Sequence, residues 1–146
     1  EISECLVGSE MCKETAPVYS IDGTYTAIQY DAQGKEEPES YKVQINYVAG
    51  SETSVEIFNI FNGGQKITGT YNKADGTLVI PTDQIVMLHP SYGEVLMKGV
   101  DDAIENYTKT ISCSFTAKGG TLITGNWQAS CSAGSFGFFY LSMKHE

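Results

Sequence analysis

The sequence predicts an all-β protein: one mainly antiparallel domain closing as a β-barrel of about eight to ten strands, with a β-sandwich as the alternative. Three observations carry that prediction. Apolar and polar residues alternate with a period of two over several stretches, as a half-buried strand requires. Turn residues fall between those stretches at short intervals, Asp31-Ala32-Gln33-Gly34, Ala49-Gly50-Ser51 and Lys73-Ala74-Asp75-Gly76 among them. The composition, 41% hydrophobic with nine Tyr and six Phe, excludes wholesale disorder and favours strands, and no segment shows the period of a long helix.

A chain of 146 residues fits a single domain with a substantial core. Residues 1–20 lack sustained periodicity and read as an irregular lead-in; residues 21–146 form the barrel domain. The first strand begins near Ile21 and runs to about Tyr30. Residues 35–39, Lys-Glu-Glu-Pro-Glu, make a solvated tip. The next strand alternates most clearly, with Tyr41, Val43, Ile45 and Tyr47 on one side and Lys42, Gln44 and Asn46 on the other. Val55 and Ile57 face inward on a third strand, which ends in the aromatic and glycine-rich bend of residues 58–64. Ile67, Gly69 and Tyr71, then Leu78 and Ile80, continue the pattern until Pro81, which cannot donate to a ladder. Residues 84–88 and 94–99 predict two more strands, and residues 100–106 a loop or a helical turn.

Residues 107–131 predict a hairpin turning on Lys118-Gly119-Gly120. With Ala117 opposite Thr121, the register sets Phe115 against Ile123, Cys113 against Gly125, Ile111 against Trp127 and Tyr107 against Cys131, all on one face. Residues 136–143 form a closing strand that is apolar on both faces and is expected to be covered on both.

Charge and motifs narrow the function classes. A formal charge of −9 repels nucleic acid and anionic membrane, and no basic patch or RNA-binding motif offsets it. Cys5, Cys12, Cys113 and Cys131 lack metal-ligand spacing, and His89 and His145 are isolated, so neither a metal site nor a cofactor is expected. Disulfides in an exported protein account better for the cysteines than the alternative of four reduced core thiols. In the hairpin register Cys131 lies about 20 Å along its strand from the residue opposite Cys113, beyond the roughly 7 Å limit for bridged Cα atoms, so unless strand order breaks after Trp127 the two, if oxidised, are expected to bond to Cys5 and Cys12 instead.

His89 with Ser91 lacks an orienting third group and a nucleophile elbow, and Asp101, Asp102 and Glu105 read as an acidic turn; no catalytic residue is predicted and the chain is not expected to be an enzyme. Asn106-Tyr107-Thr108 matches a glycosylation sequon. Trp127, Tyr25, Tyr41, Tyr47, Tyr71 and Phe115 all fall on inferred inward faces. An eight-stranded barrel is just wide enough to be filled by such rings or to hold one small ligand, so Trp127, Tyr25, Tyr41, Tyr71 and Phe115 are the candidate ligand-binding residues.

The order of features resembles the calycin-like, lipocalin-like barrel domains of secreted Bacteroidetes lipoproteins. The resemblance spans residues 21–144 and is carried by Gly23-Thr24-Tyr25-Thr26, by Val55-Glu56-Ile57-Phe58-Asn59 before a bend, by Gly76-Thr77-Leu78-Val79-Ile80-Pro81 with Gln84 after it, and by the Tyr107-Thr108 strand. Where lipocalins place a Trp two residues after the first-strand Gly this chain has Tyr25, and the nearest basic residue to their closing-strand Arg is Lys144. The resemblance implies export to the cell surface or periplasm and a lipid anchor upstream of Glu1 as the only membrane attachment. The expected function is a cell-envelope binding or accessory module for a small apolar molecule or a glycan. The alternative is a structural or protein-interaction domain with a filled core.

Overall fold

The structure, a computed structural model, describes residues 18–146. Its elements are β1 (Gly23–Asp31), β2 (Tyr41–Tyr47), β3 (Ser54–Phe58), a 3-10 turn (Ile60–Asn62), β4 (Lys66–Asn72), β5 (Thr77–Pro81), β6 (Gln84–His89), β7 (Gly93–Gly99), β8 (Thr110–Thr116), β9 (Thr121–Thr124), β10 (Trp127–Cys131) and β11 (Gly134–His145). The order β1-β2-β3-β4-β5-β8-β9-β11 closes on itself through antiparallel pairing of β1 with β11, and β10, β7 and β6 extend from β11.

The three extra strands continue three strands of the ring. Only Thr82-Asp83 separates β5 from β6, and only Gly125-Asn126 separates β9 from β10; residues 100–109 loop out between β7 and β8. Backbone hydrogen bonds carry the ladder across these interruptions, from Thr82 N–H to Lys109 O at 3.0 Å, Asp83 N–H to Met97 O at 2.9 Å and Gly125 N–H to Ser112 O at 2.8 Å. The chain is thus an eight-stranded up-and-down barrel in which three long strands are each broken once. This is the architecture that the resemblance implies.

Side chains take over where the ladder lapses. The β4–β5 pairing covers only Thr70–Asn72, and further along β4 the Gln84 carboxamide stands in for a peptide group: its Oε1 accepts from Thr68 N–H at 2.9 Å and its Nε2 donates to Thr68 O at 2.9 Å. Thr82 Oγ1 accepts from Gly99 N–H at 2.9 Å. Buried Thr124 Oγ1 accepts from Leu141 N–H at 2.9 Å, beside the Gly125-Asn126 break.

Alternation along each strand sends Val43, Ile45, Val55, Ile57, Leu78, Ile80, Leu122 and Leu141 into one core. Tyr25, Val43, Ile57, Leu78, Leu122, Trp127 and Leu141 are 0% exposed, which leaves no room for a water molecule against them. The interior around these residues is packed, as side chains suffice to fill a barrel of this strand number.

The hairpin register differs by one residue from the sequence expectation. Thr116 pairs with Thr121, Phe115 with Leu122, Ser114 with Ile123 and Cys113 with Thr124. The loop therefore has four residues, 117–120, with Gly120 at φ 61°, and Leu122 and Thr124 point inward while Ile123 is exposed. Gly125-Asn126 then shifts the parity again, so Trp127 still faces inward, but it pairs with Gly99 and Phe139 and not with Ile111. Tyr107 lies outside the strand and is 66% exposed; its hydroxyl donates to Gln128 Oε1 at 2.7 Å and the Lys98 ammonium sits 5.7 Å from its ring centre. The closing strand β11 is covered on one face only. Phe139, Leu141 and Met143 are buried, whereas Tyr140 on the outer face is half-buried and stacks on Tyr30 at 4.9 Å.

These substitutions for backbone pairing differ in what their loss would expose. Thr124→Val strands a buried N–H and is expected to lower unfolding free energy by about 1–3 kcal/mol, whereas Gln84→Ala, whose partners water can reach, is expected to cost about 1 kcal/mol or less. Urea denaturation of the two variants checks the order.

Candidate functional site

Register places the five ligand candidates at opposite ends of the barrel. Tyr25 pairs with His145 at the start of β1, while Phe139, the partner of Trp127, pairs with Asp31 at its end. Tyr25, Tyr71 and Phe115 form one ring cluster, with centroids 6.4 Å apart for Tyr25–Phe115 and 6.1 Å for Tyr71–Phe115. Trp127 and Tyr41 belong to the other end, so the five do not converge on one ligand.

The Tyr25 end is sealed by the chain that enters β1. Tyr19 N–H donates to Ala117 O at 2.9 Å, Ile21 is buried, and Tyr25 Oη donates to Ile21 O at 2.6 Å. Burial, with smaller contributions from Tyr71, Asp22 and Tyr47, holds the Tyr25 hydroxyl well above the usual tyrosine range, so it stays a donor. His145 lies over both rings, 4.9 Å from Tyr19 and 4.8 Å from Tyr25, and its Nε2 meets Asp22 O at 2.9 Å. Lys144, the closing-strand cation singled out in the sequence, points away and donates to Gly119 O at 3.0 Å.

At the other end the rings run outward in a chain. Trp127 is packed against Phe139 at 5.4 Å and Phe61 at 5.8 Å. Phe61 contacts Phe136 at 6.0 Å, and Phe136 contacts His89 at 5.8 Å and Tyr92 at 5.7 Å. Tyr92, 48% exposed, ends the chain at the surface. Two grooves flank it and share Cys131. One of about 230 Å³ includes Ser135 and Phe136; the other, of about 380 Å³, includes Glu94, Lys98, Ser130 and Ser132. Exposed rings beside hydroxyls and charges are what a glycan-binding surface needs, because sugar C–H faces stack on rings while sugar hydroxyls take hydrogen bonds.

Tyr41 braces this mouth from the inside of its rim. Its hydroxyl donates to Gln29 Oε1 at 2.9 Å and accepts from Phe61 N–H at 3.0 Å. Burial raises its pKa above the usual tyrosine range, and the Phe61 N–H bond offsets part of that rise. The indole Nε1–H of Trp127 has no acceptor and is the only such buried side-chain nitrogen or oxygen among the described residues. An unpaired buried donor costs roughly 1–3 kcal/mol.

The remaining candidates hold loops. His89 Nδ1 accepts from the Ser91 N–H at 3.0 Å and the Tyr92 N–H at 3.3 Å, so its bond to Ser91 is with the backbone and not with the hydroxyl. Asp101 Oδ1 accepts from Glu105 N–H at 2.9 Å and its Oδ2 from Asn106 Nδ2 at 3.1 Å; these bonds hold its carboxyl below the usual range. Cys113 and Cys131 are free thiols, and no disulfide joins the described residues. The expected bonds to Cys5 and Cys12 meet an obstacle at Cys113, which lies in the packed barrel at 2% exposure, where a second segment would have to enter the core to reach it. Cys5 and Cys12 themselves lie outside the described residues.

Phe61, Tyr92 and Phe136 are absent from the sequence-derived candidates. Phe61 and Tyr92 sit in turns, where alternation carries no inward or outward information, and Phe136 is the unpaired residue at the shift in the β10–β11 register, between Ser135 opposite Ser130 and Gly137 opposite Ala129. The one local signal is the Asn59-Ile60-Phe61-Asn62-Gly63-Gly64 run, rich in residues that tolerate left-handed backbone.

Comparison of the chain with protein-family models, curated proteins and solved structures finds no match. The fold and the geometry of the two ends therefore carry the functional reading.

Burial pushes the Cys113 thiol up to about 12, whereas Cys131 is half-buried beside the grooves. Brief iodoacetamide treatment of the folded protein at pH 8 is expected to alkylate Cys131 at least about tenfold faster than Cys113. Peptide mass mapping reads the ratio, and equal rates would contradict the packed position of Cys113.

Proposed function

We propose that the protein is an exported, non-catalytic binding module of the cell envelope, of the calycin-like kind found in secreted Bacteroidetes lipoproteins. It is held to the membrane through a lipid upstream of residue 1, and it binds a glycan at its aromatic mouth. The observation that carries this reading is the chain of rings from Trp127 to half-exposed Tyr92, with Ser130, Ser132, Ser135 and Glu94 in the adjoining grooves. A small apolar molecule fits the packed interior less readily than a sugar fits this polar rim. The same packing favours a second reading, a protein-interaction domain with a filled core that uses exposed apolar side chains such as Leu88 and Ile123.

Isothermal titration with a panel of neutral and acidic oligosaccharides separates the two. Binding to at least one sugar is expected, weakened about tenfold by Tyr92→Ala through loss of ring stacking, with the thermal midpoint unchanged. Absence of binding across the panel would leave the interaction domain as the better reading.

A further inference from the structure

We propose a second binding site, outside the barrel at its Tyr25 end: the groove between the entering chain and the ends of β2 and β4 takes a small molecule with one carboxylate on an apolar stem of about one ring. The site shares no residue with the rim grooves, and the proposal does not rest on the glycan reading. The groove, of about 420 Å³, is lined by Tyr19, Ile21 and Ala117 from the entering chain and the loop it crosses, and by Tyr47, Tyr71 and Lys73 from the ends of β2 and β4.

Tyr71 supplies a donor with nothing to bond. The residue is 4% exposed, and its ring is held edge-on against Phe115 at 6.1 Å. Its hydroxyl has no hydrogen-bond partner among the described residues, where Trp127 Nε1 is the only enclosed atom left in that state. The Tyr71 oxygen is therefore open, and the groove is the opening. Burial, with smaller contributions from Tyr47 and Asp75, holds the hydroxyl above the usual tyrosine range, so it donates and does not ionise. Tyr47 acts electrostatically on both Tyr71 and Tyr25, which places the three phenols together. Tyr25 spends its hydroxyl on Ile21 O at 2.6 Å, so Tyr47 and Tyr71 are the two left for the groove. Polar groups on buried side chains ordinarily find partners, and here a ligand oxygen would supply one.

Charge selects the ligand. The chain carries 18 Asp and Glu against 9 Lys and Arg, yet the groove is lined by Lys73 and by no carboxylate. Two neighbouring acids turn to their own segments: Asp75 Oδ1 accepts from Thr77 N–H at 3.0 Å, and Asp22 accepts from the Ser20 hydroxyl. Two neutral donors and one ammonium match a single negative charge spread over two oxygens, and hydrogen bonds to such a charge are about twice as strong as neutral ones. A dianion would need a second cation, and an ammonium would meet Lys73. The apolar surfaces of Tyr19, Ile21 and Ala117 receive the stem, and the volume falls within the range of roughly 300 to 1,000 Å³ usual for small-molecule sites.

The walls are set before anything binds. Tyr19 N–H donates to Ala117 O at 2.9 Å, its ring rests on His145 at 4.9 Å, and Gly120 is packed so closely that a Cβ there would stand 2.7 Å from Tyr19 Cδ2. On the other side Tyr71 N–H donates to Thr53 O at 2.7 Å. Little ordering is left for a ligand to drive.

Hydrocinnamate, its amide and phenylpropylamine share a ring and a short chain and differ in charge. In calorimetric titration of the full chain, hydrocinnamate is expected to bind about tenfold more tightly than the amide, and the amine more weakly than either. Tyr71→Phe keeps the ring on Phe115 and removes the donor; it should bring hydrocinnamate to within about threefold of the amide with the thermal midpoint unchanged. Lys73→Gln, at an exposed position, should weaken hydrocinnamate and leave the amide as it was. Tyr92→Ala should change none of the three affinities, which separates this site from the rim. No binding of hydrocinnamate, equal affinities for it and its amide, tighter binding of the amine, or a Tyr71→Phe variant that binds like the wild type would overturn the proposal.

Discussion

A closed barrel has no edge, so the backbone groups around its ring must find partners within the ring, and the rest of this structure follows from meeting that demand with strands that break. The seam between β1 and β11 runs in register from Tyr25–His145 to Asp31–Phe139. On its other side β11 is served in turn by β10 and β9, two short strands with a two-residue gap between them. Where a gap would orphan a peptide group, a side chain substitutes: Thr124 for Leu141, Thr82 for Gly99, Gln84 for Thr68. Left unpaired in a buried position, such groups would cost more than an exposed hydrogen bond contributes.

The breaks also make the two ends different. At the Tyr25 end the strands are continuous and the entering chain lies across them, with Tyr19, Ile21 and His145 closing the interior. At the Trp127 end β6, β7 and β10 carry the wall further out, and the bend at Ile60–Asn62 turns Phe61 into the opening. Aromatic side chains fill both ends and reach the surface at both: half-buried Tyr19 and Tyr47 line a groove of about 420 Å³ beside Ser20 and Lys73 at the first, and Tyr92 is the outermost ring at the second. A filled barrel and a binding rim are compatible, because the rings that pack the interior near Trp127 are the inner members of the chain that ends at Tyr92.

Much of the fold was legible from alternation alone. Val43 and Ile45, Val55 and Ile57, Leu78 and Ile80 each read inward in the sequence and lie in the core, because a strand paired on both sides has no freedom to rotate its side chains to the other face. The hairpin of residues 107–131 shows the limit. Period-two parity survives a shift of register if the loop changes length by one residue, and four residues in place of three moved Ile123 outward and Leu122 inward. Gly125-Asn126 then reset the parity, so Trp127 kept its inward position for a reason the hairpin pattern does not contain. Spacing likewise does not show the barrel wall around Cys113, which leaves its thiol 2% exposed.

The sequence by itself determined the fold class and the faces of the regular strands, since each depends on residues near one another along the chain. Tertiary structure decided which rings meet. Tyr25 and Trp127, alike as inward aromatics in the sequence, belong to opposite ends, and Trp127 gains its neighbours Phe61 and Phe139 from a bend and a strand 66 residues before and 12 residues after it. Closure of the sheet brings such distant residues together, and their contacts depend on strand register, which side-chain parity constrains only to within whole-residue shifts of the loops between.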